Sequence, residues 1–291
     1  MKSDHKWYFH RINLMQIIDS HQHFWTYDPI HYNWIDHSMS ALKQNFLPPD
    51  LEEIYKENGI HGCVTVQATS SEEETNTLLA HADGFDFIKG VVGWVDLLGA
   101  NAHERLLAFK TNPKFKGVRH VLQSEPDEFM EQVDFIRGIS YLADLGLTYD
   151  ILIYPRHLFY AYKLAAKFPN QKFVIDHLAK PLIKFKNFND WSALMNNFKE
   201  LPNVHCKVSG MVTEADWKHW GYKDFLQPLD RVTEIFGPDR MMYGSDWPVC
   251  LLAASYKNVL DIIKTYTDKW SDNEKAKIFY ENAIQFYNLV P

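Results

Sequence analysis

Short apolar, β-branched runs alternate with longer stretches of helical periodicity along most of the chain, the pattern of repeated βα units around a parallel sheet. Eight runs are present: Ile17–His23, Cys63–Thr69, Ile88–Asp96, Phe115–Gln123, Thr148–Pro155, Lys172–His177, Val204–Gly210 and Met241–Asp246. Helix starts are readable between them. Ser71 with Glu74 and Ser271 with Glu274 have capping-box spacing, and Pro155 suits a first helical turn. Eight units in one chain predict an α/β fold of the closed (β/α)8 kind, a single-domain TIM barrel, rather than an open doubly wound sheet. No glycine-rich dinucleotide fingerprint follows the first run. Residues 15–291 are assigned to the barrel, and Met1–Leu14, which carries no apolar period, to a dispensable N-terminal extension.

A chain of 291 residues with 46% hydrophobic content can bury a core of that size. Its 30 Lys and Arg against 37 Asp and Glu leave a net charge of −7 with no long block of either sign, so nucleic acid and anionic membrane are not expected partners. A small molecule is. Cys63, Cys206 and Cys250 lie far apart and in no C-x-x-C pair, which suits buried thiols in a reducing compartment. No apolar run reaches the roughly 20 residues of a membrane-spanning helix, and the N-terminus lacks a secretory h-region, so the expected location is the cytoplasm.

The connection from Phe24 to Pro48 interrupts the pattern. It carries Phe24, Trp25, Tyr27, Tyr32, Trp34 and Phe46 with neither period, and loops of that length are usually functional. It reads either as a flap over substrate or as rings packed onto the barrel mouth.

Candidate chemistry collects at the ends of three runs. In Asp19-Ser20-His21-Gln22-His23 the two histidines share a face, because strand side chains alternate with period two. At the C-terminal end of a barrel strand that face is the mouth, where two neutral imidazoles can hold a divalent metal or position a substrate carbonyl. His177 ends the sixth run as Asp176-His177-Leu178-Ala179-Lys180-Pro181, and is either functional or a satisfied histidine closing the strand. Asp246 ends the eighth as Gly244-Ser245-Asp246-Trp247-Pro248, a metal ligand, a general base or a turn residue.

Together with Gly117-Val118-Arg119-His120 and Lys207-Val208-Ser209-Gly210, these motifs resemble the amidohydrolase superfamily from about Met15 onward. The resemblance is to its amidohydrolase-2 branch, which contains sugar lactonases. It implies a hydrolase that opens a sugar lactone to the aldonic acid, with Asp246 as general base and His21, His23 and His177 stabilising the carbonyl oxygen. One departure from the family's binuclear members stands out. Where those have a lysine or glutamate ending strand four and a histidine ending strand five, this chain has Arg119-His120 and Tyr154-Pro155. At most one metal is therefore expected, such as zinc on His21, His23 and Asp246, and no cofactor is expected to be required. Trp25, Trp34, Arg119, His120, Tyr154 and Lys207 are the expected substrate contacts. Arg119 is expected for its rigid fork of donors, with a structural ion pair inside the barrel as its equal alternative, and Lys207 has the alternative of filling the barrel while its charge finds a carboxylate. The rival activity is a metal-dependent decarboxylase of the same superfamily, against which the missing strand-five histidine argues. A barrel kept only to bind sugar acids is the non-enzymatic alternative.

Overall fold

The computed structural model describes residues 16–290, so the expected extension Met1–Leu14 lies outside the described residues. Strands β1 Ile18–Gln22, β2 Gly62–Val66, β3 Ile88–Gly93, β4 Phe115–His120, β5 Thr148–Ile151, β6 Phe173–Ile175, β7 Val204–Val208 and β8 Met241–Tyr243 pair in sequence order, all parallel. One α-helix follows each strand: α1 Pro48–Asn58, α2 Glu72–Gly84, α3 Ala102–Lys110, α4 Val133–Ser140, α5 Leu158–Lys167, α6 Asn189–Met195, α7 Leu226–Phe236 and α8 Tyr256–Tyr266. Two more, α9 Asp272–Ala276 and α10 Asn282–Tyr287, complete the order. The sheet closes into a TIM barrel through the Asp246 amide on the His21 carbonyl (2.8 Å) and the His23 amide on the Trp247 carbonyl (2.7 Å). Among the described residues no helix is long and apolar enough to cross a membrane.

All eight runs form strands because helices cover the outer face and side chains fill the lumen, which leaves no polar face to break the pattern. The strands nevertheless end earlier than the runs do. β6 stops at Ile175 and β8 at Tyr243, because His177 and Asp246 adopt left-handed backbone (φ 53° and 58°) that no ladder accommodates. The Ser271–Glu274 capping box forms in full, with the Ser271 amide on Glu274 Oε2 at 2.8 Å and the Glu274 amide on Ser271 Oγ at 3.3 Å. Ser71 caps α2, but its reciprocal bond is absent: the Glu74 carboxylate turns back to accept the Ala68 and Thr69 amides. Pro155 opens a 3-10 turn, Pro155–His157, ahead of α5.

The lumen is layered. Its lower end is apolar, with Ile18, Val64, Val66, Val92, Val174 and Met242 packed on Phe286, Tyr287 and Leu289, so that the C-terminal helix plugs the barrel. Above that plug lies a buried ionic layer. Lys207 Nζ contacts Asp150 Oδ2 at 2.5 Å and Asp176 Oδ1 at 3.1 Å, and Arg119 Nη1 donates to Asp176 Oδ2 at 3.0 Å. Two cations balance two carboxylates, which is the condition for charges so deep in a core. Strand β7 and the residue after it run through all the layers at period two, with His205 against Phe286, Lys207 in the ionic layer and Ser209 at the mouth.

Candidate active site

The mouth of the lumen is a cavity of about 730 Å³ lined by His23, His177, Asp246, Arg119, Tyr154 and Trp34 among others. The β1–β2 register shifts between Asp19 and Gln22, and beyond that shift His21 and His23 both turn inward, leaving Gln22 on Cys63 outside. Asp19 pins this end of the seam. Its Oδ1 accepts the Ser245 amide (2.9 Å) and the His21 amide (3.2 Å), and its Oδ2 accepts the Tyr55 and Tyr256 hydroxyls. Burial pushes the Asp19 carboxyl up to about 6.

The imidazoles are oriented from behind. His23 Nδ1 donates to the Val66 carbonyl at 2.7 Å, which leaves the Nε2 lone pair facing the lumen. His21 Nδ1 lies 3.0 Å from Lys207 Nζ and 3.2 Å from Asp176 Oδ1, a donor and an acceptor, so either tautomer finds a partner. With its proton on the Asp176 side, its Nε2 lone pair points where His23 points. Ser209 Oγ is 2.8 Å from His177 Nδ1 and can give or take that hydrogen bond. Burial lowers all three imidazoles, His177 to about 4 and His21 well below the usual value with help from the Lys207 charge. They are neutral at pH 7. Burial pushes the Asp246 carboxyl up, but His177, His23 and Lys180 outweigh it and hold it below the ordinary range.

Asp246 Oδ1 sits 3.5, 3.7 and 3.9 Å from Nε2 of His23, His177 and His21, and the Nε2 atoms of His21 and His23 are 3.2 Å apart. A four-coordinate ion with bonds of about 2.0–2.1 Å needs donors roughly 3.3 Å apart, so His21, His23 and Asp246 fit one divalent metal. Asp176 could join His21 and His177 in a second cluster of suitable spacing, but Lys207 and Arg119 already hold that carboxylate.

Three of the expected substrate contacts do not line the cavity. Trp25 is buried behind it, bonded to Phe46 through both backbone groups, because the Phe24–Pro48 connection folds back on itself there. His120 follows the inward Arg119 and so faces outward, stacked on Phe129 with Nε2 2.9 Å from Glu125. Lys207 is fully buried one layer down, in the filling role that was its alternative. His21 is likewise behind His23 rather than on the surface of the cavity. In the long connection Phe24 and Phe46 pack on Trp247 and Trp25 packs on Phe46, the ring-packing expectation, while Trp34 lines the cavity. Lys180, Glu214 and Trp217 line the cavity although sequence reasoning does not single them out. Lys180 had a signal in the run ending Lys180-Pro181, whereas Glu214 and Trp217 sit in an irregular loop with none.

An eight-stranded parallel barrel with histidines and a carboxylate converging from strands one, six and eight is the architecture of a barrel hydrolase. Residues 18–289 match the amidohydrolase family, and the chain belongs to it as an amidohydrolase-type hydrolase. It is 36% identical over 284 residues to an L-fucono-1,5-lactonase of Burkholderia multivorans, covering 94% of this chain and 96% of that protein. A crystal structure of an amidohydrolase from Burkholderia multivorans with bound zinc superposes with a TM-score of 0.91 at 36% identity, covering 94% of this chain and 100% of that one. A 5-carboxyvanillate decarboxylase of Novosphingobium aromaticivorans reaches a TM-score of 0.67 at 13% identity, a likeness of fold alone.

Proposed function

We propose that this amidohydrolase opens sugar lactones to aldonic acids, with Asp246 as the general base. The observation that carries the reading is an ionised carboxylate at the cavity floor, 3.5–3.9 Å from three neutral imidazoles, in a chain 36% identical to a named L-fucono-1,5-lactonase. A lactone is an activated ester, and its hydrolysis needs a deprotonated water, a stabilised carbonyl oxygen and a protonated leaving alkoxide. Asp246 takes the water proton as the oxygen attacks the carbonyl carbon. Arg119 and the neutral His177, which both line the cavity, are the donors we assign to the oxyanion. Collapse breaks the ring C–O bond, and the alkoxide takes up the proton that Asp246 accepted, leaving the hydroxy acid. When bound by His21, His23 and Asp246, a divalent ion such as zinc polarises the carbonyl and acidifies water. Soluble small-molecule chemistry of this kind suits the expected cytoplasmic location.

The test is a pH-indicator assay over a panel of five- and six-membered sugar lactones, with and without a chelator. Opening of at least one aldonolactone is expected, with most activity kept after chelation because the substrate is activated. Turnover of an amide or release of carbon dioxide from an aromatic acid, with no lactone opened, would sink the assignment. Complete loss that zinc restores would overturn metal independence alone.

A further inference from the structure

The segment after β6 makes a turn that L residues avoid. His177, Leu178, Ala179 and Lys180 all have positive φ (53°, 55°, 56° and 52°), four left-handed residues in succession with no glycine among them. The turn is held from outside, where the Trp191 indole donates to the Leu178 carbonyl at 2.7 Å and Gly210 lies so close to the His177 ring that a Cβ there would come within 2.6 Å of Nδ1. Its effect is to send two side chains from one strand end into the same cavity, His177 beside Asp246 and Lys180 toward Glu214. Lys180 Nζ stands 3.4 Å from Glu214 Oε1 and 5.4 Å from the centre of the Tyr154 ring.

An ion pair that merely tied the β6 and β7 loops together would be redundant, because the Lys184 amide already donates to the Glu214 carbonyl at 2.9 Å. The ion pair engages one carboxylate oxygen of Glu214, and both side chains line the cavity and stay partly exposed. An ammonium with three donors and a carboxylate with two oxygens retain capacity for further partners. A cation and an anion this close match two neighbouring hydroxyls, one accepting from Lys180 and the next donating to Glu214. We propose that Lys180 and Glu214 are a specificity-determining pair that binds vicinal hydroxyls of a polyol lactone, placed by the left-handed turn. This rests on the lactonase reading above. A ring without hydroxyls leaves both charges unsatisfied and is disfavoured for that reason.

The test compares a sugar 1,5-lactone with unsubstituted δ-valerolactone in the wild type and in K180M, K180R and E214Q, with melting temperatures to confirm folding. In K180M and in E214Q the preference for the sugar lactone, as a ratio of kcat/KM, is expected to fall by about 10- to 100-fold, with KM for the sugar lactone rising more than kcat falls. K180R, which keeps the charge, should recover part of that preference. Where δ-valerolactone is too slow to follow, the KM-against-kcat split on the sugar lactone decides the matter. An unchanged ratio in folded K180M and E214Q, or a loss confined to kcat, would overturn the pair while leaving the lactonase reading intact. Absence of any lactone turnover by the wild type would remove that reading, and the pair with it.

Discussion

The two ends of the barrel lumen solve the same problem by opposite means. At the lower end, Phe286 and Leu289 close the barrel with apolar area, and Tyr287 joins them while its hydroxyl donates to Asp150 of the layer above at 2.8 Å. At the upper end, Arg119, Lys207, Asp150 and Asp176 are almost fully buried, and none is tolerable without the others. The lower end tolerates substitution in proportion to the volume lost. The upper end responds to the identity of the partner removed. The functional groups grow out of the charged layer rather than the apolar one, since His21 takes its orientation from Lys207 and Asp176.

The largest expected effect separates activity from stability at the mouth. Asp246→Asn keeps shape but cannot accept a proton, so kcat on the best lactone is expected to fall by about 10³-fold or more while the melting temperature holds or rises. Activity within about tenfold of the parent would take Asp246 out of the base role. One layer down, Lys207→Met leaves Asp150 without a cation and Asp176 with Arg119 alone. A loss of about 3–5 kcal/mol is expected in denaturant unfolding, and adding Asp150→Asn should return a good part of it. If the double variant is no more stable than the single one, the layer is not governed by charge pairing. Phe286→Ala at the plug is expected to cost about 3 kcal/mol, at the low end for a buried aromatic because a terminal helix can settle into the space. Its deficit should be recovered by refilling, as in Phe286→Met, and not by any change of charge above it.

This division also decides what could be read from the sequence. The eight strands were legible because both faces of each are buried, and the mouth residues were legible because polar groups ending apolar runs stand out in a barrel. Strand ends were not, since nothing in Asp176-His177-Leu178-Ala179-Lys180 announces a left-handed turn that normally calls for glycine. The ionic layer was visible only at its cations, Arg119 read with the alternative of an ion pair and Lys207 with that of filling the barrel, and their carboxylate partners were not singled out. The pairing was not legible, because it depends on which inward positions the closed barrel brings to one height. Nor does sequence spacing distinguish Arg119, which faces the cavity, from His120, which faces outward, until the strand's inward parity is known.

The smallest effect tests the boundary between the two ends, at His205. Its ring packs on Phe286 at 4.8 Å between centroids, and its Nδ1 is buried without a partner, so it is a polar group set into the apolar end. Burial, with the nearby charges of Arg240 and Lys172, lowers it to about 4. Between pH 4 and about 6.5 the unfolded chain therefore binds a proton at His205 that the folded chain refuses, and stability contributed by this site rises with pH across that window. At pH 7 both states are neutral there, and the full contribution is present. His205→Phe removes the titration and adds an aromatic contact, so the variant and the parent should unfold at similar urea concentrations at pH 7. At pH 4.5 the variant should be the more stable by on the order of 2 kcal/mol, a figure reduced for the partial exposure of the ring. A gap between the two that does not change from pH 7 to pH 4.5 would mean that the protonation of His205 is not linked to folding in this range.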